Sequence, residues 1–313
     1  MSSPAPPSLP DPRLNHRIAR YNRDEIVADL LSFYEFLPHV TASTVHTAPA
    51  EGWSEITLAS LAIHGIHKTP EAIELLRHLP YLSGVQPWIM ITALACDYRQ
   101  VTMSPTAREK PGWLFDAADK QWPAWVVQLT AGTDREGAHY MLDTTDGTIS
   151  RYCAGGRFEY PPTYVSEDVR SWRDRECDPE TVTLREWLEQ WREKYRQMVV
   201  VTVPPDTLTY GSVDPYFGAL EAAPCSYCFE EVDTVRKIYR EYGWPDLDKY
   251  QKDACIQTLK LWYQQFLGAR RKQGEVELRN HWETQRTAIS EMSTTVNIWG
   301  SKSEGKPTAE GPE

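Results

Sequence analysis

The sequence predicts an α+β fold: a central mixed or antiparallel sheet flanked by helices, with a C-terminal helical annex. Three observations carry that expectation. Helical periodicity with capping signals appears before residue 80 and returns at 182. Between Trp88 and Tyr152 short apolar and β-branched runs alternate with turn residues. Beyond residue 205 only helical patterns recur.

Taken in order, residues 1–15 are rich in Pro and Ser with few large apolar side chains, and the sequence predicts a disordered tail there, as it does for 299–313. The α+β domain is expected over 16–204 and the annex over 205–298. In RDEIVADLLSFYEFL the residues Ile26, Leu30, Phe33 and Leu37 form an apolar stripe, with Asp24 as expected N-cap and Pro38 as stop. KTPEAIELLRHLP gives a second helix, with Thr69 as cap, Pro70 in the first turn and Pro80 at its end. WIMITALACDY carries no charge before Asp97 and reads as one buried strand. WPAWVVQLT, AHYMLDT and TISRY are the next strands, with Asp146 and Gly147 as the hairpin signal between the last two. At 182 Thr183 and Glu186 form a capping-box pattern, flanked by Val182 and Trp187 as a hydrophobic staple. Trp187, Trp191, Tyr195 and Met198 then make an aromatic stripe whose expected role is packing on the sheet. EEVDTVRKIYREYGWP and the two segments after it supply the annex helices, and Cys255, Leu259, Trp262 and Phe266 share one face.

Composition narrows the function. Hydrophobic residues at 41%, with 12 Trp, suffice for a packed core. A net charge of -11 argues against general affinity for nucleic acid or anionic membranes, which need clustered cations, and leaves room for a basic protein partner. The six cysteines are scattered apart from Cys225-Ser-Tyr-Cys228, so no disulfide framework is expected. No signal-type leader and no membrane-length apolar run occur, and the expected location is cytoplasmic or nuclear.

Few motifs offer chemistry. HYMLDTTDGTISRY contains D-x-x-D-G, which invites a calcium loop. Aligning Gly147 with the loop's obligatory glycine puts Leu142, Thr144, Asp146 and Cys153 at first, third, fifth and twelfth positions, so one strong ligand survives. A hairpin turn fits better: Asp143 bonds nearby backbone N–H groups and Gly147 supplies a positive φ. Cys225 and Cys228 lack a second ligand pair at zinc spacing, since the next candidates are Cys255 and His281, and no strand pattern precedes them as a redox motif requires. His64 and His67 fall outside any H-E-x-x-H pattern and suit a solvent-facing loop. With no nucleophile elbow, phosphate loop or dinucleotide fingerprint, neither cofactor nor metal is expected.

The run WPAWVVQLTAGTDREGAHYMLDTTDGTISRY, followed by TLREWLEQWREKY, resembles the core of the SUKH superfamily over residues 60–200. Gly137, Asp143 and Asp146-Gly147 match the sheet part, and Thr183 with Trp187 the closing helix. The resemblance implies an α+β protein-binding module. Bacterial members are immunity proteins against nuclease toxins, and fungal members are linked to cell-wall synthesis and its signalling. The whole chain is also similar to long proteins of filamentous fungi, some encoded near secondary-metabolite genes. The expected function is therefore a non-catalytic protein-binding or regulatory module. Its partner-binding candidates are Trp113, Trp122 and Trp125 with the acidic turn Asp134, Arg135 and Glu136, core packing being the competing role for the tryptophans. The rival is an accessory enzyme of a fungal biosynthetic pathway, acting on a small molecule in an aromatic pocket with His139 or Asp143 as acid and base.

Overall fold

The computed structural model describes residues 4–5, 7, 11–14, 18–84, 88–90, 93–100, 122–132, 137–153, 161–176, 180–203, 216–218, 226–266, 268–269, 272, 276, 279–280 and 283–284. The fold is α+β, and every described strand pairing is antiparallel. The chain forms two units, Met1–Lys260 and Leu261–Glu313. In the second, residues 261–266 are helical and the Trp262 and Phe266 rings stack at 5.3 Å.

The first unit opens with a short 3-10 turn at Pro12–Leu14, within the stretch expected to be a tail; Asp11 and Leu14 are buried. Helix α1 (Arg23–Phe36) is capped by Asn22, whose side chain accepts the Asp24 and Glu25 amides. The expected cap, Asp24, lies inside the helix, where its charge favours the positive end of the helix dipole. α1 ends two residues before Pro38 with no cation in its last turn. Lys252 supplies one from far along the chain: its Nζ donates to Glu35 O, Leu37 O and Val40 O at 2.6, 2.9 and 3.1 Å. Burial of that ammonium brings Lys252 down to about 8.

Strand β1 (Val45–His46) precedes the short helices α2 (Leu58–Ile63) and α3 (Pro70–His78) and pairs with β2 (Tyr81–Leu82). α3 starts on Thr69, whose hydroxyl accepts the Ala72 amide, with Pro70 in its first turn. The apolar run expected to be one strand is two, β3 (Trp88–Met90) and β4 (Ala93–Ala95), folded back on each other with a register shift. The reversal was hidden because no Gly, Pro, Asn or Asp stands between Met90 and Ala93 to signal it. The run after Trp125 also divides, into β5 (Val126–Gln128) and β6 (Thr130–Gly132). Leu129 joins their two sheets, donating to Tyr140 O at 2.8 Å and accepting the Cys96 amide at 3.0 Å. β6 completes the sheet β3-β4-β6, while β5 opens the sheet β5-β7-β8-β9, formed with β7 (Ala138–Asp143), β8 (Thr148–Cys153) and β9 (Thr181–Thr183).

Between β8 and β9 lies a loop with a single turn of helix, α4 (Arg173–Glu176); after β9 comes α5 (Leu184–Arg196), which begins in the expected capping box of Thr183 and Glu186. Its stripe is buried as expected: Trp187, Trp191, Tyr195 and Met198 all lie inside. The Trp187 ring is 4.6 Å from Tyr140 on β7 and 6.5 Å from Phe33 on α1, so α5 packs between the sheet and α1. A further pair, β10 (Val200–Thr202) and β11 (Tyr216–Gly218), was not foreseen, and α6 (Ser226–Glu241) follows. The boundary expected at 205 falls within the first unit. Trp244 Nε1 donates to Tyr195 O at 2.9 Å, Tyr239 OH to Thr202 O at 2.7 Å and Tyr250 OH to Pro38 O at 2.7 Å. Among the described residues no helix is long and apolar enough to cross a membrane.

Gly147 has φ +75°, and a Cβ there would lie 2.9 Å from Arg20 O and 3.2 Å from Tyr21 Cα. Gly147→Val is therefore expected to cost about 1–3 kcal/mol from backbone strain alone, and more from the clash, read as a lower midpoint in urea denaturation.

Candidate functional site

The β7–β8 hairpin closes through two successive aspartate turns. Asp143 Oδ1 accepts the Thr145 amide at 2.9 Å and its hydroxyl at 2.6 Å; Asp146 Oδ1 accepts the Thr148 amide at 3.0 Å and its hydroxyl at 2.7 Å. Each aspartate then offers its other oxygen to Arg173. Nη2 of Arg173 lies 2.9 Å from Asp143 Oδ2 and 3.0 Å from Asp146 Oδ2, while Nη1 lies 2.8 Å from Asp11 Oδ2. Tyr164 donates to Asp11 Oδ1 at 2.9 Å, and Trp172 Nε1 to Asp143 Oδ2 at 3.2 Å. The group is sealed: relative exposure is 0% for Arg173 and Asp143, 1% for Asp11 and 3% for Asp146. Around it Arg170 binds Asp168 through two bonds of 2.9 and 2.6 Å and stands 3.6 Å from Asp11. Asp174 accepts the Thr163 and Tyr164 amides and Arg13 Nη2.

Three carboxylates thus face one fully enclosed guanidinium, with Arg170 near only the first. Burial opposes charge on Arg173, but Asp146 and Asp143 hold its ionisation well above the ordinary range. Burial and the Asp146 carboxylate push Asp143 up to about 6, against the pull of Arg173 and Thr145. The D-x-x-D-G motif does gather acidic oxygens around a cation, and the cation is an arginine 27 residues beyond Asp146.

Beside this corner lies a cleft of about 480 Å³. Its walls come from the hairpin turn (Thr144, Thr145, Asp146), from Trp125 before β5, from Ala19, Arg20 and Tyr21 before α1, from Thr69 and Glu71 at the start of α3, and from Pro4 and Pro7. The turn and the β5 entry are tied together, since Trp125 O accepts the Thr144 amide at 3.0 Å and its hydroxyl at 2.7 Å. Trp125 is half-buried, and its indole Nε1 has no acceptor among the described residues. Burial, aided by Glu71, Glu74 and Asp24 and opposed by Arg23, moves the Tyr21 phenol up to about 12.

Of the residues chosen from sequence, Trp125 lies at this cleft. Trp122 is 6% exposed and belongs to the core with Val126, Met141 and Trp172; its ring meets Tyr152 and Trp172 edge-on at 5.1 and 5.7 Å, leaving no face for a partner. Trp113, Asp134, Arg135 and Glu136 lie outside the described residues. The rival acid–base pair is not brought together in a cavity. His139 is held by Gln128 Nε2 at 3.0 Å from its Nδ1, and burial lowers it to about 4, whereas Asp143 is enclosed around Arg173. His64 and His67 are exposed, and no metal-ligand cluster occurs among the described residues. The thiols of Cys225 and Cys228 are outside the described side chains. Arg173 and Tyr21 were missed because neither stands in a local pattern, and the two aspartates of the turn already had a local explanation in the hairpin.

No protein-family model, no curated protein and no solved structure matches the chain.

Arg173→Met leaves three buried carboxylates without their cation and is expected to cost about 3–5 kcal/mol in urea denaturation. Arg173→Lys recovers little of it, because an ammonium cannot span the fork that reaches Asp11 on one nitrogen and the hairpin on the other. Calcium is expected to leave the melting temperature of the wild type unchanged in a thermal denaturation scan. Between 3.8 and about 6 the folded protein holds more protons at Asp143 than the unfolded chain does, so this carboxyl's contribution to stability falls as pH rises through that window. The stability advantage of wild type over Asp143→Asn should shrink accordingly when denaturation is followed across it.

Proposed function

We propose that the chain is a non-catalytic protein-binding module of SUKH type, acting in fungal regulation tied to cell-wall signalling, with the cleft at Trp125 and Tyr21 as its contact site. One observation carries this reading. The D-x-x-D-G turn on which the family resemblance rests is also a wall of the cleft, through Thr144, Thr145 and Asp146. The motif's aspartates are engaged in holding that wall, which leaves contact rather than proton transfer as the site's chemistry. A half-buried tryptophan at a cleft edge has the character of an interface anchor. The net charge of -11 favours a partner with basic surface.

A second reading, an accessory role on a small molecule of a secondary-metabolite pathway, draws support from the cleft's size. About 480 Å³ falls within the roughly 300–1,000 Å³ of small-molecule sites.

The two readings part on deletion of the gene in its host. The binding-module reading predicts sensitivity to cell-wall stress with an unchanged metabolite profile, and a Trp125→Ala allele that fails to restore resistance. A lost metabolite with normal walls would contradict it.

A further inference from the structure

We propose that the cleft is a groove for a polyproline segment, that the chain's own Pro4 and Pro7 occupy its edge, and that the partner enters with a P-x-x-P stretch; this rests on the binding-module reading above. The N-terminal sequence is SSPAPPSLPDP. Pro4 and Pro7 both line the cleft and are half-buried, while Ala5 between them is exposed. A polyproline II helix has three residues per turn, so positions three apart share a face, and Pro4 and Pro7 stand at that spacing in the sequence.

The opposing chemistry suits such a ligand. Aromatic-walled grooves recognise polyproline helices because the preformed helix loses little entropy on binding and its rings pack on aromatic carbon. Trp125 and Tyr21 supply that wall.

The chain's own segment is held nearby by Asp11, which is fixed on Arg173 at 2.8 Å just after the proline run. Tethering gives these prolines a high effective concentration at the groove. They do not fill it, since about 480 Å³ remains between the walls. The own segment is thus a weak competitor in cis, and a longer or better-fitting proline stretch on a partner displaces it.

The test uses the full-length protein and a fluorescein-labelled peptide copying residues 2–10, SSPAPPSLP, with a control peptide in which every proline is alanine. Binding is followed by fluorescence anisotropy. The proline peptide should bind the wild type, and bind a Pro4→Ala/Pro7→Ala chain about 3–10 times more tightly, because removing the cis competitor raises the fraction of open grooves. Trp125→Ala should weaken binding at least about tenfold, the loss expected for a central aromatic anchor. Tyr21→Ala should do likewise and serves as the second probe if Trp125→Ala melts early. Equal binding of the control peptide, no binding to the Pro4→Ala/Pro7→Ala chain, affinity for that chain no tighter than for wild type, or indifference to both aromatic substitutions would overturn the proposal. If the peptide fails to bind while the Trp125→Ala allele still leaves the host sensitive to wall stress, the groove assignment falls and the binding-module reading stands. If that allele behaves as wild type, the reading falls with it.

Discussion

The guanidinium of Arg173, enclosed among Asp11, Asp143 and Asp146, is the contact on which the arrangement of the first unit turns. It joins three stretches that are remote in sequence: the end of the proline-rich N-terminal segment, the β7–β8 turn and the loop carrying α4. Buried ion groups of this kind give little net stability over an apolar core, because desolvation offsets most of the attraction. Removing one partner is nevertheless costly, and so the cluster acts as a constraint: alternatives that separate the three segments leave a charge stranded in the interior. The fork of the guanidinium suits the task, since one nitrogen reaches Asp11 while the other serves both hairpin aspartates.

The constraint shapes the surface above it. Once Asp143 and Asp146 are turned inward, Thr144 binds the Trp125 carbonyl, which sets the tryptophan at the edge of the cleft. On the N-terminal side of Asp11, Pro4 and Pro7 lie at the same cleft. Gly147, in its positive-φ conformation against Arg20 and Tyr21, completes the corner. The rest of the unit supports the sheet from one side, with α5 wedged against Tyr140 and Phe33 through Trp187, and Lys252 closing the C-terminus of α1. The residues that hold this corner therefore also line the cleft, through Asp146 and the Thr144–Trp125 contact.

Local order was legible in the sequence and long-range order was not. Thr69-Pro70, the capping box of Thr183 and Glu186, the Trp187 stripe and the Asp146-Gly147 hairpin were each specified within a few residues, and each formed as expected. Arg173 could not be found that way: its partners stand 27, 30 and 162 residues off, and SWRDRE has no pattern that marks a buried cation. Lys252 as the cap of α1, 215 residues from Leu37, is the same case. Asp11 was hidden by its setting, a Pro- and Ser-rich stretch that composition alone assigns to a tail. Trp122 and Trp125, alike in type and near in sequence, differ in exposure because tertiary packing, which periodicity does not encode, buried the first against Trp172 and left the second half-buried, against the same core and at the cleft.

Native-state hydrogen exchange on an Asp11→Ala variant reaches the central claim most directly. The amides of Thr145 and Thr148 bond to the hairpin aspartates, and neither residue touches Asp11 directly, whereas Tyr164 does. If Arg173 couples the three segments, these amides lose protection together, as one cooperative unit. Loss confined to Tyr164 and the other neighbours of residue 11, with Thr145 and Thr148 exchanging as in the wild type, would contradict the account.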